Sequence, residues 1–133
     1  MAYLLLIPTA AAQAPTHTIP YLPSVPTKTE LQADAVSVAH QHGFDDAETA
    51  QFIGTVNWEN RDWDCTLQSH DYNARDGGRE LSFGLAMIHL PDHPTVSLSQ
   101  AKNCLFSLNW MAEQWVLGNQ HEWTGYRMQY SKK

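Results

Sequence analysis

Apolar residues recur at helical spacing in three stretches of the chain. The first stretch, "ELQADAVSVAHQH", is preceded by Thr29, which can cap a helix, and followed by Gly43, which can end one. We therefore predict a first helix over residues 30–42. The apolar side of this helix is formed by Leu31, Ala35, Val38 and Ala39.

The second stretch follows closely. Asp45 is an N-cap residue for a helix over residues 46–59, whose last residue would be Glu59. On a helical wheel, Glu59 lies beside Phe52 and one turn beyond Val56, at the edge of the apolar face. The carboxylate is therefore expected to point toward the packed side of the helix. The apolar face itself comprises Ala50, Phe52, Ile53 and Val56.

The third stretch lies near the C-terminus. Ser97 can cap a short helix, and Asn103 can cap a longer one over residues 104–118 that stops at Gly118. The longer helix carries two apolar stripes, so we expect it to be buried on two sides and to form the centre of the domain. One stripe is Leu105, Leu108, Met111, Ala112, Trp115 and Val116, and the other is Phe106, Trp110 and Leu117.

Between these helices the chain is polar and rich in turn-forming residues. The tripeptide "DGG" at 76–78 predicts the tip of a loop or small hairpin within residues 65–80. The expected fold class is therefore mainly α, a helical domain with a small loop or β-hairpin lobe. A chain of 133 residues is long enough for one core of this kind.

The N-terminal residues indicate a leader and a linker. "YLLLI" is apolar and "AAAQA" ends in a small-x-small cleavage pattern, so residues 1–14 are interpreted as a signal or leader segment. Export to the periplasm or the exterior is expected, with an apolar leader of no function as the alternative. The apolar run is far shorter than the roughly 20 residues that span a bilayer, so no stable membrane insertion is expected. Four prolines make residues 15–28 an extended linker before a domain over residues 29–133.

Charge and cysteine content narrow the partners and the compartment. The formal net charge is −6 and the chain has no basic stripe, so nucleic acid is not expected as a partner. The two cysteines are Cys65 and Cys104. In an exported protein they would form one disulfide, whereas in the cytosol they would be two buried thiols.

Neither a metal site nor a cofactor is expected. His89 and His93 are four residues apart, but Pro91 lies between them, so they do not share a regular helix face. The chain has no cysteine or third histidine at the spacing of a metal site around this pair.

Glu59 has the surroundings of a general acid. In the last turn of a helix its charge faces the negative end of the macrodipole, which costs up to about 1 kcal/mol. Apolar neighbours add a desolvation cost, and both effects raise the pKa of a carboxyl group toward the range of a proton donor near neutral pH. From the residues alone, a glutamate that simply extends into solvent is the alternative.

The order of several short motifs resembles the lysozyme-like transglycosylase family, the soluble lytic transglycosylases related to goose-type lysozyme. The glutamate-ending helix "FIGTVNWEN" is followed by a loop, by an S-x-G-L-x-x-I element, "SFGLAMI" (82–88), and by the proline turn "HLPDHP". A helix, "NCLFSLNWMAEQW", and a closing "WTGY" (123–126) complete the order. The resemblance covers about three quarters of the chain and implies a lysozyme-like α+β fold whose lobe flanks a catalytic groove.

The resemblance also implies site residues. Glu59 would be the catalytic acid, and the substrate-binding residues would be Ser82, Gly84, Met87, His89 and Tyr126. Backbone geometry for Gly84 and closure of the core for Tyr126 are the alternative roles. The sequence departs from the family pattern at Asn60, where serine is more frequent, and at Met87 and His89, which replace a glutamine and an asparagine.

The activity that the resemblance implies is cleavage of peptidoglycan. A lytic transglycosylase, acting here as a monomer, cuts the β-1,4 bond between N-acetylmuramic acid and N-acetylglucosamine with one carboxylate and leaves 1,6-anhydro ends. A lysozyme-type muramidase would hydrolyse the same bond with a second carboxylate, for which the candidates are Asp64, Asp71, Asp76 and Glu80. A non-catalytic glycan-binding or assembly module on the same fold is the third interpretation.

Overall fold

The computed structural model describes residues 24–131, and the predicted leader and most of the predicted linker lie outside them. This part of the chain is mainly helical with two small antiparallel hairpins, which confirms the predicted mainly α class with a small β lobe. None of the helices in residues 24–131 has the length and apolar character needed to cross a bilayer. The helices are α1 (Lys28–Gln41), α2 (Asp46–Glu59), α3 (Leu98–Ala101), α4 (Cys104–Val116) and α5 (Thr124–Gln129).

Helix α1 begins two residues before its predicted start. Thr27 is the N-cap in place of Thr29: its hydroxyl accepts from the Glu30 N–H at 3.2 Å, and the Glu30 carboxylate accepts from the Thr27 N–H at 2.9 Å. This reciprocal capping box satisfies two N–H groups at once and fixes the earlier start. The helix ends at Gln41, shortly before Gly43, whose φ of +81° turns the chain away. Its buried side is the predicted one: Leu31, Ala35, Val38 and Ala39.

Helix α2 has the predicted bounds and the predicted cap. The Asp45 carboxylate accepts from the Glu48 N–H at 2.7 Å, and the Glu48 carboxylate accepts from the Asp45 N–H at 3.2 Å. The buried face is rotated from the predicted one, because Ala50 is exposed and Ile53 is half-buried. Thr55 can be buried because its hydroxyl donates to a carbonyl one turn earlier, at 2.8 Å. The buried residues are Thr49, Phe52, Thr55 and Val56.

Helix α4 has the predicted cap, since the Asn103 side chain accepts from the Phe106 N–H at 2.9 Å. Burial on two sides, which the two apolar stripes predicted, is confirmed only in part, because Phe106 and Trp110 of the second stripe pack against the core but three other apolar side chains are exposed. Leu105, Val116 and Leu117 are 52%, 61% and 70% exposed. Helices α1 and α3 pack against α4, and the surface that carries these three side chains is left to solvent. The buried residues of α4 are Ser107, Leu108, Met111, Ala112 and Trp115.

The β structure is confined to two short hairpins. In the first hairpin, β1 (Tyr72–Asn73) pairs with β2 (Gly78–Arg79), and in the second, β3 (Ser82–Phe83) pairs with β4 (Ile88–His89). Residues 76–78 lie at the turn of the first hairpin, as the "DGG" tripeptide predicted. The first hairpin is therefore the small lobe expected between the helices.

The core and one covalent link hold these elements together. The Phe52 ring contacts Phe44 and Trp115 edge to face, each at 5.6 Å between centroids, a geometry that stabilises aromatic pairs. A disulfide between Cys65 and Cys104 joins the loop after α2 to the first residue of α4. Helix α3 begins directly after its predicted cap, Ser97, and α5 packs against α2.

Candidate functional site

A groove of about 810 Å³ lies between the end of α2, the two hairpins and the segment that leads into α5. Glu59 lines it from α2, Asp71 and Glu80 line it from the ends of the first hairpin, and Trp110 lines it from α4. Its volume falls within the range of roughly 300 to 1,000 Å³ that is usual for ligand sites. The groove is therefore large enough to hold part of an extended ligand.

Glu59, the last residue of α2, is partly buried and lines this groove. Its Oε1 accepts the backbone N–H of Gly125 at 2.7 Å. Burial raises the pKa of the Glu59 carboxyl above its ordinary value and outweighs this hydrogen bond and the charge of Arg127, both of which lower it. The negative charges of Glu80 and Asp71 raise the pKa further. A groove-lining position and a raised proton affinity are two of the properties that a general acid needs.

Asn60, directly after Glu59, ties the following loop to the second hairpin. Its side chain is 1% exposed, and Nδ2 donates to the carbonyls of Asp64 and Gly84 at 2.7 and 3.1 Å. Its Oδ1 accepts from the Asp64 N–H at 3.0 Å. A serine has only one donor and could not make all three bonds, so asparagine has a structural use at this position.

Ser82 and Met87 both line the groove from the second hairpin. Met87 lies in the turn between β3 and β4, where its N–H donates to the Gly84 carbonyl at 3.2 Å. Its φ of +46° is in the left-handed region, which is strained for a side chain of this size. Backbone strain of this kind is found preferentially at functional sites, so Met87 is retained as a groove residue.

Gly84 and Tyr126 were expected beside the ligand, but both lie outside the lining of the groove. Gly84 has a φ of +83°, and a Cβ atom there would overlap the Ala101 carbonyl oxygen. The Tyr126 ring packs edge to face on Trp115, with 5.2 Å between centroids. Gly84 thus serves close backbone packing, and Tyr126 closes the core.

His89 lines the groove, but both of its ring nitrogens are engaged. Nε2 is 2.8 Å from the Asp76 carboxylate, and Nδ1 is 2.8 Å from the Asp92 carboxylate. Two carboxylate acceptors require two N–H donors, which only the imidazolium form supplies. Burial by itself lowers the pKa of His89, but the hydrogen bonds to the two carboxylates reverse this and raise it. His89 therefore braces the first hairpin against the turn after β4 and has no free nitrogen for a ligand.

No protein-family model, curated protein or solved structure matches this chain. A function has to be inferred from the groove and its residues.

Two of the four candidate second carboxylates lie in the groove. Asp71 and Glu80 line it, and the Glu80 carboxylate accepts the Ser69 hydroxyl at 2.8 Å. Asp64 instead accepts hydrogen bonds within its own turn, and Asp76 belongs to the His89 brace. Of these four candidates, Asp71 and Glu80 therefore share the groove with Glu59.

Several groove residues were missed from the sequence. The sequence places Trp110 in the core and Trp123 in a motif, yet both line the groove. Trp123 also donates its indole N–H to the Ala86 carbonyl at 2.7 Å. His70, Arg75 and His93 come from loops without periodicity, and no local pattern marks them. Among residues 24–131 no cluster of three or more His, Cys, Asp or Glu side chains is arranged to hold a metal ion.

We expect the His89 brace to make stability depend on pH. The folded pKa of His89 is raised above 6.5, so its contribution is complete below that value and is lost as pH rises through the folded pKa. The pKa values of Asp76 and Asp92 are lowered from 3.8, so their contribution is complete above that value and is lost as pH falls through their folded values. At a pH between 3.8 and 6.5, urea unfolding of His89→Gln should therefore show the largest loss of stability relative to the wild type.

The control for this experiment is His40→Gln, which changes an exposed histidine of α1. Its effect on the free energy of unfolding should be small at every pH. A loss of stability in His89→Gln that stays constant from acid to alkaline pH would contradict the brace.

Proposed function

We propose that this protein cleaves the glycan strands of peptidoglycan on a lysozyme-like fold, with Glu59 as the catalytic acid. The observation that supports this most directly is that Glu59 ends a helix, lines a groove of about 810 Å³ and has a raised pKa. Trp110 and Trp123 add aromatic surface to the same groove, next to charged and hydroxyl side chains. Apolar faces combined with polar groups suit a sugar chain.

The reaction that fits one acid is that of a lytic transglycosylase. Protonated Glu59 donates its proton to the oxygen between N-acetylmuramic acid and N-acetylglucosamine, and the acetamido group of the substrate stabilises the cationic centre. The Glu59 carboxylate then takes the proton of the 6-hydroxyl of the same sugar as that oxygen closes the ring. The product is a 1,6-anhydro sugar, and no water is consumed.

The arrangement of the helices and hairpins also supports a lysozyme-like fold. The acid lies at the end of α2, a small hairpin lobe follows, and the second hairpin carries Ser82 and Met87 into the groove. This is the order of parts expected from the motifs. The link from Asn60 to Gly84 holds the acid-bearing helix end against the second hairpin.

A lysozyme-type muramidase is the second candidate, and the position of Asp71 and Glu80 favours it. Both acids share the groove with Glu59, and the charge of each raises the pKa of Glu59. In a two-carboxylate mechanism one of them would activate water or act as the nucleophile. The product would then carry an ordinary reducing end.

A non-catalytic glycan-binding or assembly module is the third candidate. The family glutamine and asparagine are replaced by Met87 and His89, and the nitrogens of His89 are taken up by Asp76 and Asp92. Such a module would bind strands without cutting them.

The partner in each case is a peptidoglycan strand, and the place of action lies outside the cytoplasmic membrane. The Cys65–Cys104 disulfide supports this location, because structural disulfides persist in oxidising compartments. A monomer is sufficient for the proposed reaction, since Glu59, Asp71 and Glu80 come from one chain.

Digestion of purified peptidoglycan followed by mass spectrometry of the fragments tests the proposal. We expect fragments with 1,6-anhydro ends. Fragments heavier by one water would assign the protein to the muramidases, and Glu80→Gln or Asp71→Asn would then be nearly as damaging as loss of Glu59. Binding to the walls without any fragments would assign it to the non-catalytic modules.

A further inference from the structure

We infer that Gly125 is a positioning residue that holds Oε1 of Glu59 and leaves Oε2 to carry the reacting proton. The inference rests on the proposed function. Its basis is a hydrogen bond across 66 positions of the chain, in which the Gly125 N–H donates to Oε1 at 2.7 Å. A backbone donor cannot rotate away as a hydroxyl can, so it selects one of the two carboxyl oxygens.

The hydrogen bond assigns roles to the two oxygens. In a protonated carboxyl group, the carbonyl oxygen is the better acceptor, so the oxygen that accepts the amide is the one without the proton. Oε2 therefore carries the proton. The proton leaves Oε2 for the glycosidic oxygen as the bond to the leaving sugar breaks, and Oε2 takes up the 6-hydroxyl proton as the anhydro bond forms. Glu59 thus returns to its starting state with no other reactant.

Glycine is required at position 125 because of space rather than backbone conformation. A Cβ atom there would lie 2.6 Å from Cβ, 2.8 Å from Cγ and 2.9 Å from Cδ1 of Trp58. Trp58 directly precedes Glu59 on α2, so the same turn of helix supplies both the acid and the surface on which Gly125 rests. Trp58 is 52% exposed, so its contact with Gly125 lies at the surface rather than in the core.

The contact between α2 and α5 is reinforced one turn away. The Gln129 side chain donates to the carbonyls of Gly54 and Gly125 at 3.0 and 3.1 Å. A Cβ atom at Gly54 would meet the hydroxyl at the far end of the Tyr130 side chain, which can be displaced more easily than atoms near a backbone. Helices α2 and α5 thus each have one glycine in their contact. Gly125 packs against Trp58 atoms near the backbone, whereas Gly54 faces the end of a side chain.

The charged groups around Glu59 come from several elements. Arg127 on α5 lowers its pKa, and Glu80 and Asp71 beside the first hairpin raise it. The ionisable side chains that share the groove are His70, Arg75, His89, Asp92, His93 and Glu122. All of these groups remain when Gly125 is changed, so the substitution removes none of the charges that act on Glu59.

The test compares Gly125→Ala with Gly54→Ala, a matched glycine-to-alanine change in the same helix pair. The carboxyl carbon of Glu59 is followed by ¹³C NMR against pH in each protein. In Gly125→Ala the pKa of Glu59 should rise above that of the wild type, because a hydrogen bond to the ionised form is weakened. In Gly54→Ala it should stay at the wild-type value. Equal shifts in both variants would reduce Gly125 to a packing role and overturn the inference.

The kinetics give a second readout. Displacement of the acid by about 1 Å can cost about 10²-fold in rate, so kcat of Gly125→Ala on peptidoglycan should fall by roughly that factor with little change in KM. Trp58→Gly combined with Gly125→Ala removes the three clashing atoms and should restore part of kcat. A double variant as slow as Gly125→Ala would count against the inference.

One measurement needs no substitution at Gly125. In the wild type, the Gly125 amide resonance should titrate with the pKa of Glu59, and in Glu59→Gln this titration should vanish. A Gly125 amide that does not respond to pH overturns the inference even if Gly125→Ala cannot fold. If the wild type cuts no peptidoglycan, the proposed function fails. The titration of the Gly125 amide still tests whether its hydrogen bond to Glu59 exists.

Discussion

Replacement of Glu59 by glutamine should lower the rate of cell-wall clearing by about 10²- to 10⁴-fold, the usual loss when a positioned proton donor is removed. The amide has the shape of the carboxyl group, and its oxygen can still accept the Gly125 N–H. It cannot supply a proton to a leaving group at neutral pH. The loss should therefore appear in kcat, with binding to the walls retained.

The same variant should be at least as stable as the wild type at neutral pH. Because the folded pKa of Glu59 is raised above 4.5, the ionised carboxylate is disfavoured by folding, and this penalty is complete at a pH above the folded pKa. The neutral amide removes the penalty. Thermal unfolding at neutral pH should give an equal or higher midpoint for Glu59→Gln, and the gap should close at a pH below 4.5.

The control is Glu113→Gln, the same chemical change at an exposed position of α4. It should clear walls at the wild-type rate. A Glu59→Gln protein that also clears walls at the wild-type rate would overturn the proposed function, because Glu59 is the groove acid with a raised pKa.

Loss of the disulfide should have the second large effect. Cys65 and Cys104 are separated by 39 positions, and closing a loop of that length stabilises a protein by about 4 kcal/mol in the chain-entropy model. The variant with Cys65→Ala and Cys104→Ala should lose stability of that order in urea unfolding. The loop after Glu59 would also lose its tie to α4.

Reducing agent provides the comparison for this prediction. It should bring the wild type down to the stability of the double variant and leave the double variant unchanged. Intact-mass measurement of protein from an oxidising compartment should show two hydrogens fewer than the reduced chain. Two free thiols in that material would contradict the disulfide.

Residues close together in the sequence were predicted well. The bounds of α2 and its Asp45 cap follow from hydrogen bonds across three residues, and the turn at 76–78 follows from two adjacent glycines. The place of Glu59 at the helix end follows from the same local pattern. Periodicity and capping act within one or two turns of chain, so they can be read without knowledge of the neighbours.

The helical class, the hairpin lobe and the position of Glu59 at the end of α2 therefore follow from local patterns in the sequence. The atoms that contact Glu59 and the surfaces that are covered depend on tertiary packing. The Gly125 amide contacts Glu59 across 66 positions of the chain, and Asp76 contacts His89 across 13 positions. Leu117 belongs to a predicted apolar stripe but is exposed, so the stripe does not specify which element packs against it. Such contacts depend on how helices and hairpins pack, and a hydrophobic period specifies that a face is apolar but not what lies against it.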